Sequence, residues 1–207
     1  MKVGDSVRLA INSWTDGEQE AAMLHACNSV DGTASKVHPS LRSTERFTRL
    51  LRDSYQAFGP MALPGINVEE TRWPVRVRHR PKTTDGRPDI ADVIWAIHRC
   101  THGHGDELPD GFELLAHAAD PARYTEIGIE KGKVRLSDRV IFGLVGVAIL
   151  QPVNGDQSVP AGYYLTFEDD RFEINEWWGR YDAFVRVISG RIGPYVKLDF
   201  GDWMSGI

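Results

Sequence analysis

Residues 98–107 hold the densest group of side chains in the chain that could do chemistry. They supply imidazoles, a guanidinium, a thiol and carboxylates: His98, Arg99, Cys100, His102, His104, Asp106 and Glu107. Histidine titrates near neutral pH and can move protons. Arginine presents a planar set of donors that suits a phosphate with developing negative charge. Arg99 and His104 therefore have the chemistry for metal-independent cleavage of RNA by its own 2′-hydroxyl group.

An apolar helix is predicted to position these groups. It begins after an Asp89 N-cap and buries one side through apolar residues at helical spacing: Ile90, Val93, Ile94, Ile97 and Cys100. Gly103 and Gly105 are expected to end it, because glycine readily adopts the left-handed conformation of a helix C-cap. Arg99 then lies in the last turn and His104 lies just past it, so the helix end presents both side chains.

Other interpretations of this stretch stay open. His98 and His102 are i and i+4 on a helix and could bind a metal with His104 or Asp106, although the glutamate of an HExxH motif is missing. Cys100 is a poor candidate for a nucleophile, because it lies in the apolar stripe and an activated thiolate needs exposure. The polar side chains could also be structural, since a cation near a helix C-terminus opposes the helix dipole.

Residues 72–87 form the most basic part of the chain, with Arg72, Arg76, Arg78, Arg80, Lys82 and Arg87. Arginines alternate there with Trp73, Val75, Val77 and His79, and this period of two predicts an edge strand or an extended arm. We take Arg76, Arg78 and Arg80 as candidate substrate-binding residues, because a row of arginines can follow a phosphate backbone. The alternative is an edge strand whose charges prevent aggregation.

The bulk composition limits the class of protein. A chain of 207 residues, 42% hydrophobic and 26% charged, is typical of one large globular domain. The net charge of −5 excludes a polycation that wraps nucleic acid, but a local basic face is enough for an RNA-handling enzyme. The N-terminus lacks the apolar segment of a signal peptide, and the apolar run at 140–150 is about half a membrane span. We therefore expect a cytoplasmic protein without membrane contact. The metal-independent interpretation of residues 98–107 implies neither a metal nor a cofactor.

The remaining patterns predict a mainly α (α+β) fold. In chain order they indicate a strand or arm in 1–13, helices over 16–36 and 43–58, two strands in 125–136, an apolar helix ending at 150, a hairpin in 163–174, a helix from Asn175 and a strand at 195–200. The second helix has a face of arginines, which we interpret first as a solvated surface and second as a ligand-facing one: Arg42, Arg46, Arg49 and Arg52.

The chain resembles the HEPN domain family. Arg99 and His104, separated by four residues at the end of an apolar helix, are similar to the R-x4-6-H motif of that family. Further stretches resemble uncharacterised prokaryotic HEPN-like proteins: CNSVDGTA at residues 27–34, Glu45-Arg46-Phe47 and Leu108-Pro109. The resemblance extends over roughly residues 15–150.

This resemblance implies a HEPN-like helical core over residues 1–150, with the basic segment near 72–87 inserted and a β-hairpin plus helix of 151–207 packed on it in the same domain. It implies a homodimer in which the two motif helices meet and form one composite RNase site. RNA and a cognate protein would be its partners, in a toxin-antitoxin or antiphage defence system.

The resemblance also implies residue roles. Arg99 would stabilise the scissile phosphate, and His104 would move protons or orient the substrate, with His102 as the alternative histidine. Cys100 differs from the asparagine or other polar residue that often follows this arginine in active members. The family therefore implies either a metal-independent endoribonuclease or a non-catalytic interaction and oligomerisation module.

Overall fold

The computed structural model describes residues 2–103, 110–115 and 126–205, and for residues 99–103 it describes the helical backbone. Within these ranges the chain is mainly α-helical with small β additions, which confirms the predicted fold class. The helices are α1 (Val3–Thr15), α2 (Gln19–Val37), α3 (Ser43–Asp53), α4 (Tyr55–Ala62), α5 (Ile90–Gly103), α6 (Arg139–Leu150), α7 (Ile174–Trp177) and α8 (Tyr181–Ser189). The strands are β1 (Phe112–Leu115), β2 (Gly128–Glu130), β3 (Lys133–Ser137), β4 (Tyr164–Phe167) and β5 (Asp170–Glu173).

The strands form two small sheets. β2 and β3 pair antiparallel, as predicted for residues 125–136, and β4 and β5 form the predicted hairpin. β1 was not predicted; it pairs in parallel with the other edge of β3. The strand predicted at 195–200 is reduced to one parallel bridge, between Ile66 and Val196.

The N-terminal segment is a helix, so the predicted strand or arm was wrong. Val7, Leu9 and Ile11 alternate as they would in a strand. However, the fully buried apolar residues of α1 are Val3, Val7 and Ala10, which follow helical spacing. α1 packs along α2, so burial of this helical face against a neighbour outweighs the short local alternation.

The helix predicted over 43–58 is divided into α3 and α4 at Ser54. Gly59 and Pro60 directly follow the predicted helix and form a turn signal that predicts its end, but both lie inside α4. Proline removes one hydrogen bond of the helix, and α4 ends two residues after it, so little regular structure is lost.

The helix predicted from Asn175 is also divided, into α7 and α8. Gly179 separates them with a φ of +76° and donates its N–H to the carbonyl of Ile149 at 2.9 Å. Asn175 was predicted as an N-cap, but its amide instead bonds both backbone groups of Val159, at 2.8 and 2.9 Å. This long-range partner ties the β4–β5 region to the chain segment before it.

The core is built around α5 and α6. Every residue of α5 from Ile90 to His98 is buried, so this part of the helix is surrounded on all sides. α6 is apolar nearly all round and packs closely on α4, where a Cβ added at Gly143 would lie 2.7 Å from the Cβ of Ala62. Buried side chains from α1 through α8 belong to one core cluster.

Candidate functional site

A buried network of charged side chains lies at the start of α5, and we call it the Asp89–Asp92 network. Arg52, from the last turn of α3, donates from Nε to Asp89 Oδ2 at 2.7 Å and from Nη2 to Asp92 Oδ2 at 2.8 Å. The hydroxyl of Tyr55, at the start of α4, donates to Asp89 Oδ2 at 3.0 Å. Nε2 of His79, from the basic segment, lies 2.9 Å from Asp92 Oδ1. The network therefore joins α3, α4, α5 and the basic segment.

The two carboxylates of this network are positioned by the N-cap of α5. Asp89 Oδ1 accepts a hydrogen bond from the backbone N–H of Asp92 at 3.1 Å, which confirms the predicted N-cap. Both carboxylates lie in the first turn, where the positive end of the helix dipole favours negative charge. They are nevertheless almost fully buried, with side-chain exposures of 4% and 0%, so each needs a cationic or hydrogen-bonding partner.

The protonation states follow from these contacts. Burial raises the pKa of Asp92, but its hydrogen bond with His79 and the positive charge of Arg52 outweigh burial, and the pKa lies below its ordinary value. Burial, followed by the charge of Asp89, raises the pKa of Tyr55 well above its ordinary value. Asp92 is thus a carboxylate that only accepts hydrogen bonds, so Nε2 of His79 carries the proton between them.

The prediction for the basic segment, residues 72–87, was an edge strand or an extended arm, and the segment is an irregular arm without strand pairing. Its backbone is held by bonds to other parts of the chain: Trp73 N–H donates to the carbonyl of Pro88 at 2.9 Å, and Gly132 N–H donates to the carbonyl of Pro74 at 2.8 Å. Bends replace the regular ladder that a strand requires. The name "arm" is used below for residues 72–87.

The predicted alternation of inward and outward side chains is present in the arm. Trp73 and Val75 are buried, Val77 packs against the core and His79 reaches the Asp89–Asp92 network. The intervening arginines are exposed: Arg76, Arg78 and Arg80. The three predicted substrate-binding residues therefore face solvent from a segment whose other face is anchored in the core.

The arginines of α3 differ from those of the arm. Arg46 pairs with Asp31 at 3.0 Å, Arg49 with Asp53 at 3.0 Å, and Arg52 belongs to the Asp89–Asp92 network. Their charges are therefore neutralised within the fold, which leaves little for a ligand. Arg78, Arg80 and Lys82 of the arm, in contrast, make no hydrogen bond or ion pair within the described part of the chain.

The side chains predicted to be catalytic lie outside the described residues. Arg99 and His102 lie on the helical backbone of α5, but their side chains are outside the described residues, as is the whole of His104. At a rise of about 1.5 Å per residue, Arg99 lies roughly 10 Å along the helix axis from Asp92, which anchors the arm. One rigid helix therefore carries both the anchor of the arm and the arginine of the motif.

His98, the first histidine of the metal interpretation, is a core residue. Its ring is 5% exposed and stacks on Phe47, with ring centroids 5.3 Å apart and an interplanar angle of 17°. Trp95 packs against the same ring. No group of three or more histidine, cysteine, aspartate or glutamate side chains with metal-binding geometry is found among the described residues.

Comparison with known proteins places the chain in a family. The Rv1289 family model matches residues 2–204, which include the arm, the Asp89–Asp92 network and the helices around them. The chain belongs to the Rv1289 family. It is 40% identical over 206 residues to the uncharacterised protein Rv1289 of Mycobacterium tuberculosis, with 100% of this chain and 97% of that protein covered. The same figures hold for the uncharacterised protein Mb1320 of Mycobacterium bovis, and no solved structure matches the chain.

Sequence reasoning missed the partners of the Asp89–Asp92 network. Arg52 was grouped with a solvated helix face, and the helical spacing of Tyr55 from Leu51 and Phe58 predicts a place in an apolar stripe. His79 was the sequence signal for this network. The period of two places His79 on the same side as Trp73 and Val75, which are buried, and a titratable side chain on a buried face needs a hydrogen-bonding partner. A further observation concerns the membrane: no helix in the described ranges has the length and apolar character to cross one.

Proposed function

We propose that this protein binds single-stranded RNA along the outward face of the arm and that the end of α5 supplies metal-independent endoribonuclease chemistry. The observation that carries the proposal is the exposed row of Arg76, Arg78 and Arg80 on a segment anchored by His79 to buried Asp92. Guanidinium groups bind phosphate oxygens through paired donors, and binding releases counterions from the strand.

The anchoring of the arm favours binding. A segment that is already fixed by core contacts loses less conformational freedom when a ligand binds than a free loop does. The charges of Arg78 and Arg80 are not neutralised by carboxylates of the described residues, so binding breaks no internal ion pair there. The chain carries a net charge of −5, which confines attraction of a polyanion to such local basic surfaces.

The nuclease part of the proposal rests on the position of Arg99. It lies on the same helix as Asp92, which anchors the arm, about 10 Å further along the helix axis, and the proposal requires a strand on the arm to extend to the end of α5. Arg99 would stabilise charge on the phosphorane, and His104, or His102, would transfer protons. The proposal includes a homodimer that combines these residues from two copies, and a cognate protein partner in prokaryotic defence.

A binding assay tests the arm. Fluorescence anisotropy with a labelled single-stranded RNA should show weaker binding by an Arg78→Ala/Arg80→Ala variant. The slope of log K against log salt concentration should become shallower by about 1.4, because each phosphate contact on a single strand contributes about 0.7. The matched control is Arg180→Ala/Arg186→Ala, which removes the same charge from exposed positions outside the arm. Equal effects of both double variants would contradict the arm as the binding surface.

A cleavage assay tests the end of α5. Purified protein is incubated with a mixed RNA ladder in EDTA, beside Arg99→Ala, His102→Ala and His104→Ala variants. The expected result is cleavage that survives chelation and is lost with Arg99→Ala and with one histidine variant. Cleavage that needs a metal would support the metal-binding interpretation instead, and binding without cleavage would identify a non-catalytic interaction module.

A further inference from the structure

A polar groove of about 280 Å³ lies beside the arm. One wall comes from the chain at and before the arm and includes Glu69, Glu70 and Arg87. The other wall comes from the C-terminal segment and includes Lys197, Phe200 and Met204. The groove is thus continuous with the arm, although it uses residues far apart in the sequence.

The two walls are held together by backbone contacts. Val196 N–H donates to the carbonyl of Gly65 at 2.8 Å, and Asn67 N–H donates to the carbonyl of Val196 at 3.0 Å. Leu198 N–H donates to the hydroxyl of Thr71 at 3.2 Å. These bonds replace the strand predicted at 195–200 and fix the C-terminal segment against the loop that leads into the arm.

Glu69 and Glu70 of the first wall lie on an ordered turn, and their carboxylates are available to a ligand. Oδ1 of Asn67 accepts the backbone N–H groups of both Glu69 and Glu70, each at 3.2 Å, and so orders the turn that carries them. Neither of their carboxylates makes a hydrogen bond or ion pair with another described residue. Asp85, in contrast, is occupied by Nε of Arg72 at 3.0 and 3.1 Å.

The second wall combines a cation with aromatic surface. Phe200 stacks on Trp203, with centroids 6.2 Å apart and an interplanar angle of 11°, and Trp203 is 41% exposed. The side chains of Lys197 and Arg87 form no ion pair in the described part of the chain, so two cations remain available at the groove. Carboxylates, aromatic surface and unpaired cations therefore line one small concave site.

We infer that this groove accepts one guanine nucleotide. That the nucleotide belongs to an RNA strand rests on the proposed function. Ionised carboxylates only accept hydrogen bonds. Guanine is the RNA base whose pairing edge offers two adjacent donors, N1–H and the N2 amino group, which match the two oxygens of Glu69 or Glu70. Phe200 offers a stacking surface, and Arg87 and Lys197 suit the phosphate. The groove volume of about 280 Å³ is close to the lower end of the range of small-ligand pockets, roughly 300–1,000 Å³.

Base substitution in RNA tests the inference. Three labelled oligoadenylates are compared, one with a central guanosine, one with inosine at that position and one without substitution. The guanosine strand should bind about tenfold more tightly than the other two, because inosine lacks the N2 amino group and a bidentate base contact is lost. GMP, IMP and AMP are titrated directly against the protein by isothermal titration calorimetry, with the highest affinity expected for GMP.

Variants separate the groove from the arm. Glu69→Gln or Glu70→Gln should reduce the preference for guanosine, measured as the ratio of affinities for the guanosine-containing and unsubstituted strands. Glu176→Gln, an exposed carboxylate far along the chain, is the matched control and should keep the preference. Thermal unfolding verifies that each variant is folded.

The outcomes decide between the inference and the proposed function. Failure of the arm alone would appear as no binding of any RNA together with retained selectivity for free GMP, which supports a mononucleotide as the ligand. Equal binding of the three RNAs and equal affinities for the three nucleotides would overturn the groove assignment. A guanosine preference that survives both glutamine variants would overturn it as well.

Discussion

Replacement of Arg52 by methionine should destabilise the fold strongly. The change keeps an unbranched side chain but removes the cation that bonds two buried carboxylates, Asp89 and Asp92. Breaking a buried pair and leaving a charge uncompensated costs 3–5 kcal/mol, and because the Arg52 side chain is 21% exposed we expect about 3 kcal/mol. For a chain of 207 residues this lowers Tm by roughly 6–12 °C.

The loss should depend on pH in a defined direction. In the native protein the pKa of Asp92 lies below its ordinary value of 3.8, because His79 and Arg52 outweigh burial. The stability from that lowered pKa is present above 3.8 and is lost as the pH falls through the folded value. Without the positive charge of Arg52, the pKa of Asp92 rises relative to the native protein, so the folded variant takes up a proton at a higher pH and recovers stability there on acidification. The difference from the native protein should therefore be smaller at pH 5 than at pH 7.

Urea unfolding followed by tryptophan fluorescence, at both pH values, measures this difference. Arg49→Met is the matched control, since it breaks the Arg49–Asp53 ion pair on the same helix with side chains 63% and 47% exposed. Such an exposed pair contributes less than about 1 kcal/mol. Equal losses for the two variants, or a loss for Arg52→Met that does not shrink at pH 5, would refute the reasoning about the Asp89–Asp92 network.

Two further predictions concern the core. Gly143→Ala should cost about 1–3 kcal/mol in urea unfolding, because its Cβ would lie 2.7 Å from Ala62 and 3.1 Å from the ring of Phe58; Gly146→Ala should cost less than about 1 kcal/mol, because its nearest neighbour is the flexible end of Met61. Cys27 should resist a thiol reagent in a folded Cys100→Ala variant and react only after unfolding, since burial and then the charge of Asp31 raise the pKa of its thiol and the side chain is fully buried. Rapid reaction under native conditions would contradict the buried position of Cys27.

The sequence predicts the elements whose signals are local. The Asp89 cap, the apolar pattern of α6 and the turn between β2 and β3 each depend on a few neighbouring residues, and each is confirmed. α1 was predicted wrongly because its alternation extends over only a few residues, too few to outweigh packing on α2. No strong helix-breaking residue marks the division at Ser54. Pro60, which predicts a helix end, lies inside α4.

The candidate site could be predicted only in part, for the same reason. The exposure of Arg76, Arg78 and Arg80 follows from a period of two, which is local. The partners Arg52 and His79 lie 40 and 13 positions from Asp92, so their meeting depends on the packing of three separate segments. The groove beside the arm likewise depends on a C-terminal segment that meets the loop at residues 65–71. The positions of Arg99, His102 and His104 relative to one another stay predictions.

The bond between Trp73 and Pro88 has a consequence for how this family can vary. It brings the two ends of the arm together, so the exposed stretch at residues 80–87 leaves and rejoins the bundle at nearly one point. Doubling the length of such a loop adds only about 0.6 kcal/mol to the free-energy cost of closing it. Insertions in this stretch that keep the Arg72–Asp85 ion pair are therefore nearly neutral for folding. A common helical scaffold can in this way present loops of different length without losing its fold.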